Sequence, residues 1–214
     1  MDAKRPLRLG VYVVSSSGLA QGRGHRDVAL AAIEGGAYAI QLRAPELSDD
    51  ELLPVASDLA TACYAAGALF VVNNRVDVAA ESGASGAHVG QDDDVAGARA
   101  RLGSGRILGV SVATPEEARA AETAGGDYLG VTVWPTPTKP EAVPRGLEGL
   151  RAVVEATTLP VVGIGGIRTG NAELVLAAGS VGVAVISAVG AADDPVAATR
   201  ELVDIVSRWK ARNG

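Results

Sequence analysis

Residues 135 to 140 read PTPTKP, which sets Thr136, Thr138 and Lys139 among three prolines. Proline presets φ and removes a backbone donor, so this stretch can neither extend a helix nor join a central strand ladder. It reads as a stiff loop. Either it holds two hydroxyls and a cation ready for a ligand, or it is a proline-rich turn whose side chains face water. In YAIQLR, Gln41 and Arg43 are two residues apart, so a strand presents both on one face. The planar fork of arginine suits phosphate oxygens, and Lys139 adds a second positive charge, so the pair points to an anionic substrate. A structural ion pair is the other reading of Arg43. Asn74 in VNNRVD and the run QDDD at 91 to 94 offer hard oxygen donors. Such donors suit Mg²⁺, which takes one or two protein carboxylates and completes its octahedron with water and substrate phosphates. Asp93 is the preferred ligand, with Asn74 giving a carbonyl oxygen or an outer contact through water. An acidic helix start is the competing reading of the aspartates. Gly165 and Gly166 in GIGGI, with Ser187 shortly after, suit a phosphate held on backbone amides, or a tight turn. Two anionic stations imply two substrates, or one long diphosphorylated molecule.

Eight short apolar runs could position these residues: RLGVYVV, YAIQLR, LFVVN, GAHVG, ILGVSV, DYLGVTV, LPVVGIGG and VGVAVIS. Between them lie stretches with helical spacing, such as DDELLPVASDLATACYAAG and PEEARAAETAGG, often closed by glycine. Strand and helix in alternation imply right-handed βαβ units and a parallel sheet. Eight such units over residues 1 to 214 fit a single-domain (β/α)8 TIM barrel, with a doubly wound open sheet as the alternative. Ser48 before DDELL and Thr114 before PEEA are expected N-caps. In a barrel of this kind the strand C-termini and the loops after them form the active face, and the polar residues above all fall there.

Composition narrows the class. Of 214 residues, 48% are hydrophobic and only 3% aromatic, so the interior must be aliphatic, as in a sheet covered on both faces. A formal net charge of -6 argues against a general nucleic-acid binder. The lone Cys63 gives no disulfide framework or thiolate metal site and is expected to be a small buried hydrophobe. The N-terminal stretch has no signal-peptide core and no segment reaches membrane-spanning length, so a cytoplasmic protein without a membrane partner is expected. His25 and His88 read as structural, with nothing near them in sequence to pair with. The sequence leaves the oligomeric state open.

The order of QLR, VNNRVD, GAHVGQDDD, GVSV, DYLGVTVWPTPTKP, PVVGIGGI and GVAVISA resembles the thiamine phosphate synthase family along nearly the whole chain. The resemblance implies a transferase that joins 4-amino-5-hydroxymethyl-2-methylpyrimidine diphosphate to 4-methyl-5-(2-phosphoethyl)thiazole, giving thiamine phosphate and pyrophosphate. It implies that Mg²⁺, Arg43, Asn73 and Lys139 meet the diphosphate, and that Gly166, Ile186 and Ser187 meet the thiazole phosphate. Gln41 then lies near the pyrimidine, and Ser111, Thr136 and Thr138 near the substrates or the departing pyrophosphate. The implied reaction is dissociative and needs no protein nucleophile. Three features depart from the family pattern. Asn74 stands where an aspartate ligand is usual, Pro45 where a lysine is usual, and the Gly-Pro pair usually found before the aromatic residue is missing. The related thiazole tautomerases typically carry a histidine where this chain has Ala113, which ranks that activity below the synthase. A non-catalytic binder of thiazole or thiamine phosphate is the reading from a different class.

Overall fold

The structure is a computed structural model that describes residues 7, 9–16, 22–136 and 142–213. Eight strands alternate with helices: β1 Val11–Ser16, α1 His25–Glu34, β2 Ala39–Arg43, α2 Asp49–Ala66, β3 Leu69–Asn73, α3 Val76–Glu81, β4 Gly86–Val89 and α4 Val95–Leu102 form the first half. The second half runs β5 Ile107–Ser111, α5 Pro115–Thr123, β6 Tyr128–Thr132, α6 Gly146–Ala156, β7 Val161–Ile164, α7 Ala172–Ala177, β8 Gly182–Val185, α8 Ser187–Gly190 and α9 Pro195–Asn213. Neighbouring strands pair in parallel and in chain order, and β8 returns to β1, so the sheet is a closed barrel. The open-sheet alternative is thereby excluded. No helix among the described residues is long and apolar enough to cross a membrane.

The two-residue strand period divides the hydrophobic residues into two cores. Val11, Val13, Ile40, Leu42, Phe70 and Val72 point outward and pack under the helices, where Cys63 of α2 is fully buried among them. Tyr12, Val14, Ala39, Tyr128, Val162 and Ala184 point inward and fill the barrel. Ser48 accepts from the Glu51 N–H and Thr114 from the Glu117 N–H, so both expected caps are present.

The inner core contains an unusual pair for so apolar a chain. Tyr12 and Tyr128 are fully buried, with ring centroids 6.1 Å apart and hydroxyl oxygens 2.9 Å apart. Burial raises the Tyr12 pKa to about 12 and pushes that of Tyr128 well above the usual value, the neighbouring Tyr12 adding to the effect. Both stay neutral donors and acceptors at working pH.

At the opposite, N-terminal end of the barrel, Arg99 of α4 ties three chain segments together. Its guanidinium pairs with Asp127 and donates to the carbonyls of Gly125 (2.9 Å), Arg106 (2.8 Å) and Gly103 (2.6 Å), while Asp127 accepts from the Leu108 N–H at 2.9 Å. The starts of β5 and β6 are fixed to each other through this cluster, far from the strand C-termini.

Two measurements follow. Arg99→Ala leaves Asp127 and several carbonyls without their cation and should cost about 3 kcal/mol, a typical loss on breaking a largely buried pair. Thermal denaturation should show a midpoint lower by roughly 6–12 °C; an unshifted midpoint contradicts the clamp. Tyrosine titration gives the second test. The unfolded chain releases tyrosine protons near pH ~10, whereas the folded chain holds that of Tyr12 to about 12 and that of Tyr128 well above its usual range. The folded state therefore binds more protons in that window, so this contribution to stability is complete below pH ~10 and is lost as pH rises above it. Phenolate absorbance of the folded protein near pH ~11 should fall two rings short of that in denaturant, and no shortfall means the pair is not buried.

Candidate active site

The strand C-termini open onto three adjoining hollows, which share Arg43, Asn73, His88 and Ser111 between the first two and Asn74, Gly90 and Ser111 between the last two. They make one continuous mouth. Its first part reaches down into the barrel, where side chains from five strands form a hydrogen-bonded chain. Gln41 Nε2 donates to Tyr12 Oη at 2.8 Å, Tyr12 Oη lies 2.9 Å from Tyr128 Oη, and Tyr128 Oη lies 3.0 Å from His88 Nδ1. His88 Nε2 in turn lies 3.0 Å from Ser111 Oγ. The chain runs from β2 through β1, β6 and β4 to β5, across the barrel floor.

Small residues make room for it. A Cβ on Gly109 would overlap both the Tyr128 ring and the His88 ring, and one on Gly130 would come within 3.2 Å of the His88 ring. These glycines are therefore spatial requirements of the two large rings. The floor is also the main correction to the sequence reading, which left His88 without a partner. Its partners lie on β5 and β6, brought there by parallel register. His25 is corrected in the same way. It lies 3.1 Å from Ser15 Oγ and 2.9 Å from Glu46 Oε1. Ser15 points out of the barrel and is fully buried, so this group sits behind the wall and fastens the loop after β2 to the end of β1.

Gln41 and Arg43 both line the first hollow, as the strand period requires. Arg43 makes no ion pair among the described residues. Asn73 lines the same wall, and Thr136 with Gly166, Ile186 and Ser187 lines the other. Thr138 and Lys139 lie outside the described residues. Gly165 and Gly166 have φ of 89° and 65°, and a Cβ on either would come within 3.0 Å of Trp134, at 2.8 Å from its carbonyl oxygen and 2.9 Å from its Cβ respectively. The turn thus fits tightly against the start of the proline loop, and Trp134 N–H donates to Gly165 O at 3.3 Å. Asn171 holds the turn from behind, donating to Gly166 O at 3.0 Å and accepting from the Arg168 N–H at 2.8 Å.

Asn74 has φ of 59°, a left-handed conformation that asparagine and aspartate tolerate better than most residues. Its N–H donates to His88 O at 2.8 Å, and Arg75 beside it pairs with Asp49 and donates to Leu47 O. Asn74, Asp92 and Asp93 share the third hollow. One Asp93 oxygen accepts from the Gly90 N–H at 2.6 Å, which orients the carboxylate, while Asp94 caps α4 and accounts for the helix-start reading of one aspartate. Among the described residues no three His, Cys, Asp or Glu side chains gather around a point. One or two carboxylates with an amide oxygen nevertheless fit Mg²⁺, which takes its other ligands from water and phosphate. Ala113 also lines this hollow, so position 113 itself supplies no acid or base.

Comparison with known proteins agrees with this architecture. Residues 11–189 match the family model described as thiamine monophosphate synthase. A thiamine-phosphate synthase of Natronomonas pharaonis is 48% identical over 92% of this chain and 94% of its own length. That of Chloroflexus aurantiacus is 46% identical over 92% of each. A solved thiamine phosphate pyrophosphorylase from Pyrococcus furiosus is 40% identical, with a TM-score of 0.87 over 94% of this chain and 97% of that one. From its barrel floor to its nearly end-to-end likeness, the chain belongs to the thiamine monophosphate synthase family.

Proposed function

We propose that the protein is a thiamine-phosphate synthase, a transferase that joins the pyrimidine diphosphate to the thiazole phosphate and releases pyrophosphate. The carrying observation is the single continuous mouth, in which a wall bearing Arg43 and Asn73 faces the Gly166 and Ser187 wall across an uncharged floor. Two phosphate-bearing molecules can meet there. Gln41, held by Tyr12, offers its remaining amide atoms to a pyrimidine edge, and the aliphatic and aromatic floor receives a flat ring. The Gly166, Ile186 and Ser187 backbone receives the thiazole phosphate.

In the dissociative substitution, the pyrimidine C–O bond breaks first and its electron pair leaves with the diphosphate. The methylene cation is captured by the thiazole nitrogen. No protein nucleophile is needed, and the rate depends on neutralising the leaving charge in a site poor in water. Arg43 and Asn73 face that charge, and Ser111 donates to it while His88 fixes the orientation of its hydroxyl. Asp93 and Asn74 would hold Mg²⁺, which supplies Lewis-acid charge to phosphoryl oxygens when bound. Thr136 is within the mouth, and Thr138 and Lys139 are assigned to the pyrophosphate side by the family resemblance.

The decisive assay mixes purified protein with both substrates and Mg²⁺ and quantifies thiamine phosphate and pyrophosphate. Equal amounts of the two, above a control without protein, are expected. Thiazole phosphate binding without any product would replace the synthase by a non-catalytic binder. The metal assignment has its own test in Asn74→Asp. Aspartate tolerates the same backbone conformation and adds a charged ligand, so the Mg²⁺ concentration for half-maximal rate should fall severalfold. An unchanged Mg²⁺ dependence removes residue 74 from the ligand set.

A further inference from the structure

Arg145 ends the loop that leads from β6 into α6. Its N–H donates to Thr132 O at 2.9 Å, and the next amide, Gly146, donates to Val133 O at 2.9 Å, so its backbone is pinned to the strand end. The side chain lines the third hollow together with Asp93, Ser111 and Thr132. Its Nε is buried and has no hydrogen-bond partner, and among the described residues the guanidinium makes no ion pair. It also occupies the N-cap of α6, the positive end of the helix dipole, where a cation is disfavoured. A buried donor left unpaired costs free energy, and so does a cation at this helix end. An anion in the hollow beside the guanidinium offsets the second cost.

We propose that Arg145 is a diphosphate-binding residue: its guanidinium fork contacts the diphosphate, and then the released pyrophosphate, from the wall opposite Arg43. Arg43 closes β2 and Arg145 follows β6, four strands away in a closed barrel of eight, so the two cations approach the same anion from opposite sides. Ser111 and Thr132 line both the hollow of Arg43 and that of Arg145. The assignment rests on reading the mouth as a diphosphate site, and its test is separate from turnover.

Calorimetric titration of the full chain with inorganic pyrophosphate and Mg²⁺ reads the contact directly. Arg145→Ala should weaken binding about ten- to a hundredfold, the value of a charge-assisted contact. Arg145→Lys should fall between, because a point charge replaces a planar fork. The melting temperature of Arg145→Ala should be unchanged or higher, since an unpaired buried donor has gone. Unchanged pyrophosphate affinity in Arg145→Ala, no pyrophosphate binding by the wild type, or a loss of affinity that tracks a fall in melting temperature would each overturn the assignment. A wild type that binds pyrophosphate through Arg145 but makes no thiamine phosphate refutes the synthase reading alone. A wild type that makes thiamine phosphate while Arg145→Ala binds pyrophosphate normally refutes the Arg145 assignment alone.

Discussion

An eight-stranded barrel has room inside for little more than its own side chains, and three rings compete for that room here. Tyr12, His88 and Tyr128 coexist because Gly109 and Gly130 contribute no side chain at their level. Once the rings are in place their polar atoms must be satisfied, since an unpaired buried hydroxyl or imidazole nitrogen is costly. The hydrogen-bonded row from Gln41 to Ser111 is the solution. It converts a packing constraint into a defined polar surface, because Gln41 and Ser111 at its two ends cannot rotate without breaking the row.

The rim is positioned by a different kind of contact, made from behind the wall. His25 bridges Ser15 to Glu46, Arg75 bridges Asp49 and the Leu47 carbonyl, and Arg23 donates to the carbonyls of Ala192 and Asp193. Each tether joins loops of neighbouring βα units. These charged groups are thereby occupied with protein atoms. Arg43 and Arg145 differ in having no such partner among the described residues while lining the mouth. The distinction between structural and ligand-facing cations is thus made by their surroundings and not by residue type.

Residue periodicity was enough to anticipate the barrel, because eight aliphatic strand patterns and the Ser48 and Thr114 caps are local signals. It was also enough for Gln41 and Arg43, whose spacing of two alone puts them on one face. The partners of His88 were not legible. They come from strands 23 and 40 residues further along, and only the register of β4, β5 and β6 brings them to hydrogen-bond distance. Ser15 shows the complementary case: it is a polar residue at a strand end, yet the strand period turns it outward and away from the mouth. Arg145 sits beyond a proline loop, where neither helical nor strand period applies, and its one sequence signal is a basic residue just before a helix start.

The departures at residues 45 and 74 bear on charge more than on shape. Replacing an expected lysine by Pro45 removes one positive charge from the rim, and replacing an expected aspartate by Asn74 removes one negative charge from the same neighbourhood. The sum over this part of the mouth is therefore unchanged, although the field is less strongly divided between a cation and a metal ligand. Coulomb energy depends on separation as well as on sum, so a leaving diphosphate would experience weaker attraction from this side unless another cation lies near. Arg145 supplies one from across the barrel. Among the described residues no carboxylate makes ion-pair contact to neutralise it. On this account the neutral pair on one wall and the Arg145 guanidinium on the other are two parts of one electrostatic arrangement.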